Sequence, residues 1–276
     1  MKFGLDISQH QLDYDEILTR ARLAEEAGFD GAWVFDHFKP LYGDPSGPCL
    51  EGWSLLAALA RDTERLRLGA LVTGVTYRHP SVLAAQAVTV DHLSSGRLEL
   101  GLGAAWFEQE HRELGIDFPG AAERAARLEE AAIVLKKLMT EDGANFAGRH
   151  YRLNGARYNP KPLQRPHPPL WIGANGERRT LPIAGRLADV WHGSGSVASL
   201  ARKAGIVREA ARAAGRDPDE VTLASWLSIS EPFEEVTERA RALQDLGFGY
   251  LVVSWPSEGR ARLEAFISEV MPALSS

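Results

Sequence analysis

Residues 20–36 read RARLAEEAGFDGAWVFD, and residues 239–255 read RARALQDLGFGYLVVSW. The two stretches share, at a constant offset, an amphipathic helix, a Gly-Phe turn and a run of apolar residues. Gly28 suits the left-handed position that commonly follows the last turn of a helix, and Gly247 stands at the matching place. The chain therefore contains a repeated unit of helix, turn and strand.

The same alternation of strand and helix runs through the whole chain. Strands are predicted at residues 2–7, 31–36, 67–73, 97–102, 169–173, 189–191, 221–229 and 250–254. The clearest helices are predicted at residues 15–27, 123–139 and 230–247. Such alternation implies a parallel sheet with right-handed crossovers, either open and doubly wound or closed. Eight units favour the closed form, so the predicted fold class is α/β, a (β/α)8 TIM barrel.

Length agrees with one barrel, because 276 residues is close to the roughly 250 that a single α/β barrel needs. We therefore expect one domain over residues 1–276. Residues 142–168 hold several glycines and prolines and show no helical period, which predicts an insertion loop before the fifth strand. Such an insertion either borders the ligand-binding face or packs as an ordinary loop.

Composition excludes several classes of protein. Cys49 is the single cysteine, so an intramolecular disulfide is impossible and a reducing cytoplasm is expected. The net charge of −6 and the scattered basic residues argue against nucleic-acid and membrane partners. The first residues turn polar too early for a signal peptide. The eight histidines form neither HxH nor HExxH, so we predict no metal site and a small molecule as the partner.

In parallel α/β folds, ligands bind at the C-terminal ends of the strands. Asp36 and His37 end the second predicted strand, and we expect them to be the polar groups near a reacting centre. The segment Gly101-Leu102-Gly103 lacks a third small residue for a GxGxxG dinucleotide motif, because Trp106 stands there. That motif is therefore not supported.

Two glycine-rich loops are candidate anion sites, because small residues before a helix can expose backbone N–H groups. Their residues are Gly173, Ala174, Asn175 and Gly176 in the first loop and His192, Gly193 and Ser194 in the second. Taken alone, either loop is better explained as a tight strand-to-helix turn.

Together these segments resemble a known family, the luciferase-like flavin monooxygenases and deazaflavin oxidoreductases. The resemblance rests on AEEAGFDGAWVFDHF, on VTYRHP and DHLSSGRLELGLGAAW in that order, and on PPLWIGANGERRT followed by LADVWHGSG. It covers most of residues 1–195 and is closest to the actinobacterial branch that uses the deazaflavin coenzyme F420. It implies a (β/α)8 barrel, a cytoplasmic enzyme and a homodimer.

The resemblance implies hydride transfer between F420 and a small organic substrate, with the coenzyme's phosphate at the two glycine-rich loops. It leaves open an FMN-dependent monooxygenase and a non-catalytic flavin- or deazaflavin-binding protein. Lys39, Arg78, Arg149 and Arg178 are candidate partners for the anionic tail of F420.

One departure concerns the loop after the fourth strand, where some deazaflavin dehydrogenases of the family have a catalytic Glu. This chain has Trp106, followed by Gln109 and Glu110. A sugar-phosphate substrate is therefore doubtful, and we expect Trp106 and Gln109 to line an apolar substrate pocket.

The resemblance also implies a strand bulge with a non-proline cis peptide that supports the middle of the flavin ring. Carried over to this sequence, the bond is Gly74–Val75, at the end of the third predicted strand. A glycine at a strand end suits either a bulge or the close approach of a ligand. We therefore expect Gly74 and Val75 to contact the cofactor.

Overall fold

The fold is known from a computed structural model that describes residues 1–274. Its strands are β1 (Lys2–Asp6), β2 (Gly31–Val34), β3 (Arg67–Ala70), β4 (Thr73–Gly74), β5 (Leu98–Gly103), β6 (Ala144–Ala147), β7 (Arg152–Ala156), β8 (Leu170–Gly173), β9 (Val190–Gly193), β10 (Thr222–Leu227) and β11 (Phe248–Val253). Its helices are α1 (Tyr14–Glu26), α2 (Gly52–Asp62), α3 (Pro80–Leu93), α4 (Glu108–Leu114), α5 (Ala121–Thr140), α6 (Thr180–Leu187), α7 (Val197–Ala213), α8 (Phe233–Asp245), α9 (Arg260–Glu269) and α10 (Met271–Leu274). A short 3-10 turn covers Pro218–Glu220.

The parallel strands close on themselves. Strand β1 pairs with both β2 and β11, and the ring continues through β3, β5, β8, β9 and β10 back to β11. Strands β3 and β4 follow each other along the same line and together make up one strand position of the barrel, here called a stave. The barrel therefore has eight staves, and all their pairings are parallel. The prediction of a (β/α)8 barrel is confirmed.

The repeated unit of the sequence appears as α1 with β2 and as α8 with β11. Gly28 and Gly247 follow these helices with φ of 81° and 87°, the left-handed conformation that glycine adopts most readily. Helix α8 begins three residues later than predicted, because Pro232 has extended backbone and stands as its N-cap.

The third stave contains an irregularity. Leu68 and Gly69 of β3 pair with Leu98 and Glu99, whereas Thr73 of β4 already pairs with Leu102. The third stave therefore holds one residue more than β5 over the same length, which is the definition of a bulge.

Large aromatic side chains fill the barrel interior. The ring centroids of Trp33 and Trp171 lie 4.3 Å apart, and those of Trp171 and Tyr250 lie 4.9 Å apart. Trp171 Nε1 donates to Glu99 Oε2 at 2.6 Å, and Arg67 pairs with the other oxygen of this buried carboxylate. The barrel is a packed core, as in other (β/α)8 proteins.

Residues 142–168 form an antiparallel hairpin, β6 with β7, followed by an irregular segment. The Glu130 carboxylate on α5 accepts backbone hydrogen bonds from residues 149–151. Farther on, Gln164 donates to Asp91 and to the carbonyl of Leu98, the first residue of β5. This end of the insertion thus packs at the N-terminal end of the barrel, which supports the packing alternative rather than a border of the ligand-binding face.

A substitution at Gly101 can test how tightly the barrel wall is packed. A Cβ atom at this position would lie 1.9 Å from the carbonyl oxygen of Ala70, a backbone atom that cannot rotate away. We expect Gly101→Ala to lower the free energy of unfolding in urea by about 2 kcal/mol, the usual scale of overpacking. Gly205→Ala on α7 is the control, because nothing lies within 4 Å of its Cβ position, and it should be neutral or slightly stabilising. Equal unfolding midpoints for Gly101→Ala and the wild type would contradict the described wall.

Candidate active site

A cavity of about 870 Å³ opens at the C-terminal ends of the barrel strands. It is the right place and size for an active site in this fold. Of the residues predicted from the sequence, those that line the cavity are His37, Gly74, Trp106, Gly173, Ala174, Asn175, His192 and Ser194. The predicted residues outside its lining are Asp36, Val75, Gln109, Gly176 and Gly193.

His37 is held from behind by a buried carboxylate. Its Nδ1 lies 2.9 Å from Glu110 Oε2, and the Tyr77 hydroxyl donates to the same oxygen. The backbone N–H of Phe38 donates to Glu110 Oε1 at 2.8 Å. Because an ionised carboxylate can only accept, Nδ1 of His37 carries the proton in this pair. Nε2 of His37 makes no hydrogen bond within the described residues and is free to act toward the cavity.

The titration of this cluster follows from its hydrogen bonds. Burial acts to raise the pKa of Glu110, but the donors His37, Tyr77 and Phe38 outweigh it, so the pKa lies below its ordinary value of 4.5. Burial and the bond to Glu110 raise the pKa of Tyr77. At neutral pH Glu110 is therefore an anion and Tyr77 a neutral donor.

Gly74 makes this cluster possible, in a way that the sequence did not predict. A Cβ atom at residue 74 would lie 2.8 Å from the Tyr77 ring, so the bare backbone admits that ring. The expected cis bond at Gly74–Val75 is wrong. The non-proline cis peptide is Leu71–Val72, inside the bulge, while Thr73 and Gly74 have resumed regular pairing with β5.

Asp36 is placed behind the cavity wall. Its carboxylate accepts two hydrogen bonds from Arg78, at 2.5 and 3.0 Å, and Arg78 also reaches Glu51 at 3.1 Å. Burial raises the pKa of Asp36, and the Arg78 guanidinium opposes that rise. Asp36 therefore contacts Arg78 of a neighbouring loop rather than a ligand in the cavity. Arg78 is held in the same ion pair.

The two glycine-rich loops meet on the opposite side of the barrel. Asn175 Nδ2 donates to Ser194 Oγ at 2.9 Å, and the backbone N–H of Ser194 donates to Asn175 Oδ1 at 3.0 Å. Lys203, which is only 9% exposed on α7, donates to Asn175 Oδ1 and to the carbonyl of Ser194. The ammonium group of Lys203 thus joins both loops.

The loops differ in the donors that they leave available. The N–H of Gly176 is used by Thr180 Oγ1, and the Ser196 side chain caps α7. Helix α6, in contrast, has no side-chain cap. Within the described residues, the backbone N–H groups of Asn175, Glu177 and Arg178 make no hydrogen bond. An anion is therefore expected at the first loop, supported by the second.

His192 supplies a further unsatisfied polar atom. Its Nε2 is buried and has no hydrogen-bond partner within the described residues, although its ring packs edge-on against Trp226 at 4.9 Å. Burial lowers the pKa of His192 to about 3, so the ring is neutral. A neutral, unpartnered imidazole in a cavity wall suits a polar heterocyclic ligand.

Trp106 and Gln109 have different surroundings. Trp106 lines the mouth and remains 63% exposed, with its ring centroid 5.8 Å from that of His37. Gln109 lies on the exposed side of α4 and donates to Glu113 at 2.6 Å, which removes it from the expected pocket. Glu110, one residue on, points to the interior because the helix turns by about 100° per residue.

Glu110, Tyr77, Thr180 and Lys203 are site residues that sequence reasoning did not select. Lys203 carried a detectable signal, since it interrupts the apolar face that Leu200, Ala204 and Val207 form on α7. Tyr77 stands in the quoted VTYRHP segment. Glu110 carried a signal only through the family resemblance, which implies a Glu in this loop, because a single carboxylate on a short polar helix is ordinary by itself.

The described residues contain neither a metal-binding cluster nor a membrane-spanning helix. Over residues 1–274, no group of three or more His, Cys, Asp or Glu side chains is arranged to hold a metal ion. In the same range, no helix combines the length and the apolar character needed to cross a membrane.

Comparison with known proteins identifies the family. The family model for the luciferase-like monooxygenases matches residues 1–243, and the chain belongs to this family. The chain is similar to an F420-dependent glucose-6-phosphate dehydrogenase of Nakamurella multipartita, with 34% identity over 90% of the chain and 72% of that relative. It is also 32% identical, over 74% of the chain and 55% of the relative, to an FMNH(2)-dependent dimethylsulfone monooxygenase of Pseudomonas putida.

Among solved structures, the fold resembles that of an F420-dependent secondary alcohol dehydrogenase in complex with an F420-acetone adduct. The TM-score is 0.89 at 20% identity, over 99% of this chain and 98% of that one. At this identity the likeness concerns the fold, and it agrees with the barrel described above.

The Glu110 cluster generates a pH prediction. A carboxylate whose folded-state pKa is depressed stabilises the fold above its unfolded pKa, and that contribution is lost as the pH falls through the folded pKa. We expect Glu110→Gln to cost roughly 2–4 kcal/mol of unfolding free energy at pH 7. The difference from the wild type should shrink as the pH falls below about 4.5, in denaturant unfolding between pH 3 and 7.

The exposed neighbour Glu108 provides the matched control, and Glu108→Gln should change stability little at any pH. A difference between Glu110→Gln and the wild type that stays constant down to pH 3 would contradict a depressed pKa for Glu110.

Proposed function

We propose that this protein is an oxidoreductase that transfers hydride between the deazaflavin coenzyme F420 and a small organic substrate. One observation carries the proposal: a single cavity has a set of anion-binding donors on one side and a histidine with a free Nε2 on the other. The names of the relatives support the cofactor class, and the lining of the cavity supports the proposed positions of its phosphate and ring.

The residues present fit a tricyclic ring with a phosphate-bearing chain. The free N–H groups around Asn175, together with Lys203 and the uncapped start of α6, would hold the phosphate. The unpartnered Nε2 of His192 and the Trp226 ring would face the polar ring system. Gly74 and the bulged segment at Leu71 and Val72 line the cavity between these groups and His37.

When bound, the coenzyme supplies the site for hydride, which an alcohol releases from carbon as its hydroxyl becomes a carbonyl. A side chain of the protein accepts the proton that the hydroxyl loses. With Nδ1–H directed at Glu110, Nε2 of His37 accepts the hydroxyl proton, and Glu110 stabilises the imidazolium that results. In the reverse direction the same Nε2 returns the proton to the carbonyl oxygen.

An FMN-dependent monooxygenase is the second candidate, favoured by the similarity to the Pseudomonas putida enzyme. The anion-binding side of the cavity suits both cofactors, because both carry a ribityl phosphate. A non-catalytic binding protein is less well supported, since storage of a cofactor does not need a histidine that is oriented by a buried carboxylate.

Of the four candidate partners for the anionic tail of F420, Arg178 and Arg149 make no side-chain ion pair within the described residues. Arg178 is exposed beside the anion loop and makes no ion pair within the described residues. Arg78 is held by Asp36 and Glu51, and Lys39 is paired with Glu113. Arg149 follows the β6 strand on the insertion, where its backbone bonds Glu130.

We also propose that the chain acts as one catalytic domain, within which residues 142–168 are an insertion loop. In this proposal the protein is a cytoplasmic homodimer, and it binds neither nucleic acid nor a membrane. The net charge of −6 and the family resemblance support these points. Sedimentation of the purified protein tests the dimer.

Titration with F420 and separately with FMN, followed by fluorescence, tests the cofactor. We expect micromolar binding of F420, and at least tenfold weaker binding by Lys203→Met, because a charged hydrogen bond that orders both loops is lost. The control Lys137→Met removes a partly exposed lysine of α5 that is paired with Glu141 and should leave affinity unchanged. Micromolar FMN binding without F420 binding would overturn the proposed function.

His37→Ala tests the proton role. We expect turnover at saturating substrate to fall by ~100- to 10,000-fold, the usual contribution of general acid–base catalysis. F420 affinity should change much less, and it is measured on the same preparation. A variant that keeps the wild-type turnover would reduce His37 to a structural residue.

A further inference from the structure

One side of the cavity is a continuous aromatic wall. Ring centroids are separated by 5.4 Å between Tyr42 and His10, 4.3 Å between His10 and Phe35, and 5.5 Å between Phe35 and His37. Trp106 continues the wall beyond His37, at 5.8 Å. Four of these rings come from the loops after β1 and β2, which lie across the barrel from the loops of β8 and β9. Trp106 comes from the loop after β5, the strand next to β8.

The outer members of the wall are unusually exposed. Tyr42 is 75% exposed and Trp106 is 63% exposed, although both line the cavity. When an apolar ligand covers large aromatic surfaces that face water at the mouth of a cavity, the free energy of the complex is lowered. The wall is thus suited to an apolar ligand beside His37.

The charges around the cavity also favour an apolar ligand. Apart from histidines, Arg20 is the one cationic side chain among the described residues of the cavity lining. Its Nε donates to Glu16 at 2.8 Å, and its guanidinium lies 3.8 Å over the Trp255 ring. Lys39 is near the wall in sequence but pairs with Glu113.

A phosphorylated substrate needs the opposite arrangement, because phosphate groups are recognised by Lys and Arg through charge-assisted hydrogen bonds. Within the described residues, the wall offers no free cation to such a group. His10 does not replace one, since burial lowers its pKa to about 4 and its Nδ1 accepts from the Leu41 N–H.

We infer that the substrate is a neutral alcohol or ketone with an apolar body, not a sugar phosphate. Its oxygen meets Nε2 of His37, and its hydrocarbon part lies against Trp106, Tyr42 and Leu41. This inference rests on the proposed function, which supplies the hydride acceptor. It also separates this chain from relatives that are named for glucose 6-phosphate.

The test uses the protein loaded with F420 and a homologous series of alcohols, 2-butanol, 2-hexanol and 2-octanol, with glucose 6-phosphate as the charged competitor. Reduction of F420 gives kcat/KM, and quenching of tryptophan fluorescence by the corresponding ketones gives affinity without turnover. We expect kcat/KM to rise up to about fourfold for each added methylene, the change that burial of one CH2 group brings. Glucose 6-phosphate should be at least a hundredfold poorer.

Substitutions of Trp106 test whether this ring causes the increase of kcat/KM with chain length. Trp106→Ala should reduce the gain to less than about twofold for each methylene, while Trp106→Phe should keep most of it. Gln109→Ala is the control, because that side chain lies outside the cavity on α4, the short helix that follows Trp106.

The outcomes separate the two claims. Failure of F420 to bind would overturn the proposed function, and with it this inference. If F420 binds, a preference for glucose 6-phosphate, or failure to bind all three ketones, overturns the substrate class alone. A chain-length gain that survives Trp106→Ala removes the aromatic wall as its cause.

Discussion

The carboxylate of Glu110 joins three segments that are far apart in the sequence. It accepts hydrogen bonds from His37 and Phe38 after β2, and from Tyr77 after β4, while its own helix follows β5. Three adjacent strand ends are thereby tied together at one buried anion. Because a buried charge is tolerated only when its hydrogen bonds are satisfied, each donor is constrained in turn. The orientation of His37, on which the proposed chemistry depends, is a consequence of that constraint.

The barrel then separates two functions in space. Strands β8 and β9 present the donors around Asn175, while the loops after β1, β2 and β5 present the aromatic wall. Closure of the sheet sets the loops after β1 and β2 opposite those of β8 and β9, and the loop after β5 beside that of β8. In the proposed function, a cofactor anchored at its phosphate would extend toward His37, with the aromatic wall beyond it. Tight packing beneath, around Trp33 and Trp171, leaves the mouth as the place where a ligand of this size fits.

The fold was predictable because its signals are periodic and repeated. Every stave of the barrel appears in the sequence as an apolar run followed by a helix, and Gly28 and Gly247 mark equivalent helix ends. His37, Asn175 and Ser194 were also predictable, because strand ends are where this fold binds ligands.

The remaining site residues depend on pairings that only the folded chain creates. Glu110 and Tyr77 stand 33 positions apart in the sequence, and neither is unusual in its own neighbourhood. The sequence predicts the bulge at Gly74, three residues after its position in the structure. Gly74 instead admits the Tyr77 ring, while the extra residue is accommodated just before Thr73. A glycine in a sequence does not tell which neighbour needs the room.

The central claim is that Glu110 holds His37 with its proton on Nδ1 and leaves Nε2 free toward the cavity. The ring-nitrogen resonances of 15N-histidine protein, assigned to His37 by comparison with His37→Gln, measure this state directly. At a pH where the imidazole is neutral, we predict a protonated Nδ1 and an unprotonated Nε2, with the preference weakened in Glu110→Gln. A His37 ring protonated on Nε2, or one that is insensitive to Glu110→Gln, would contradict the account.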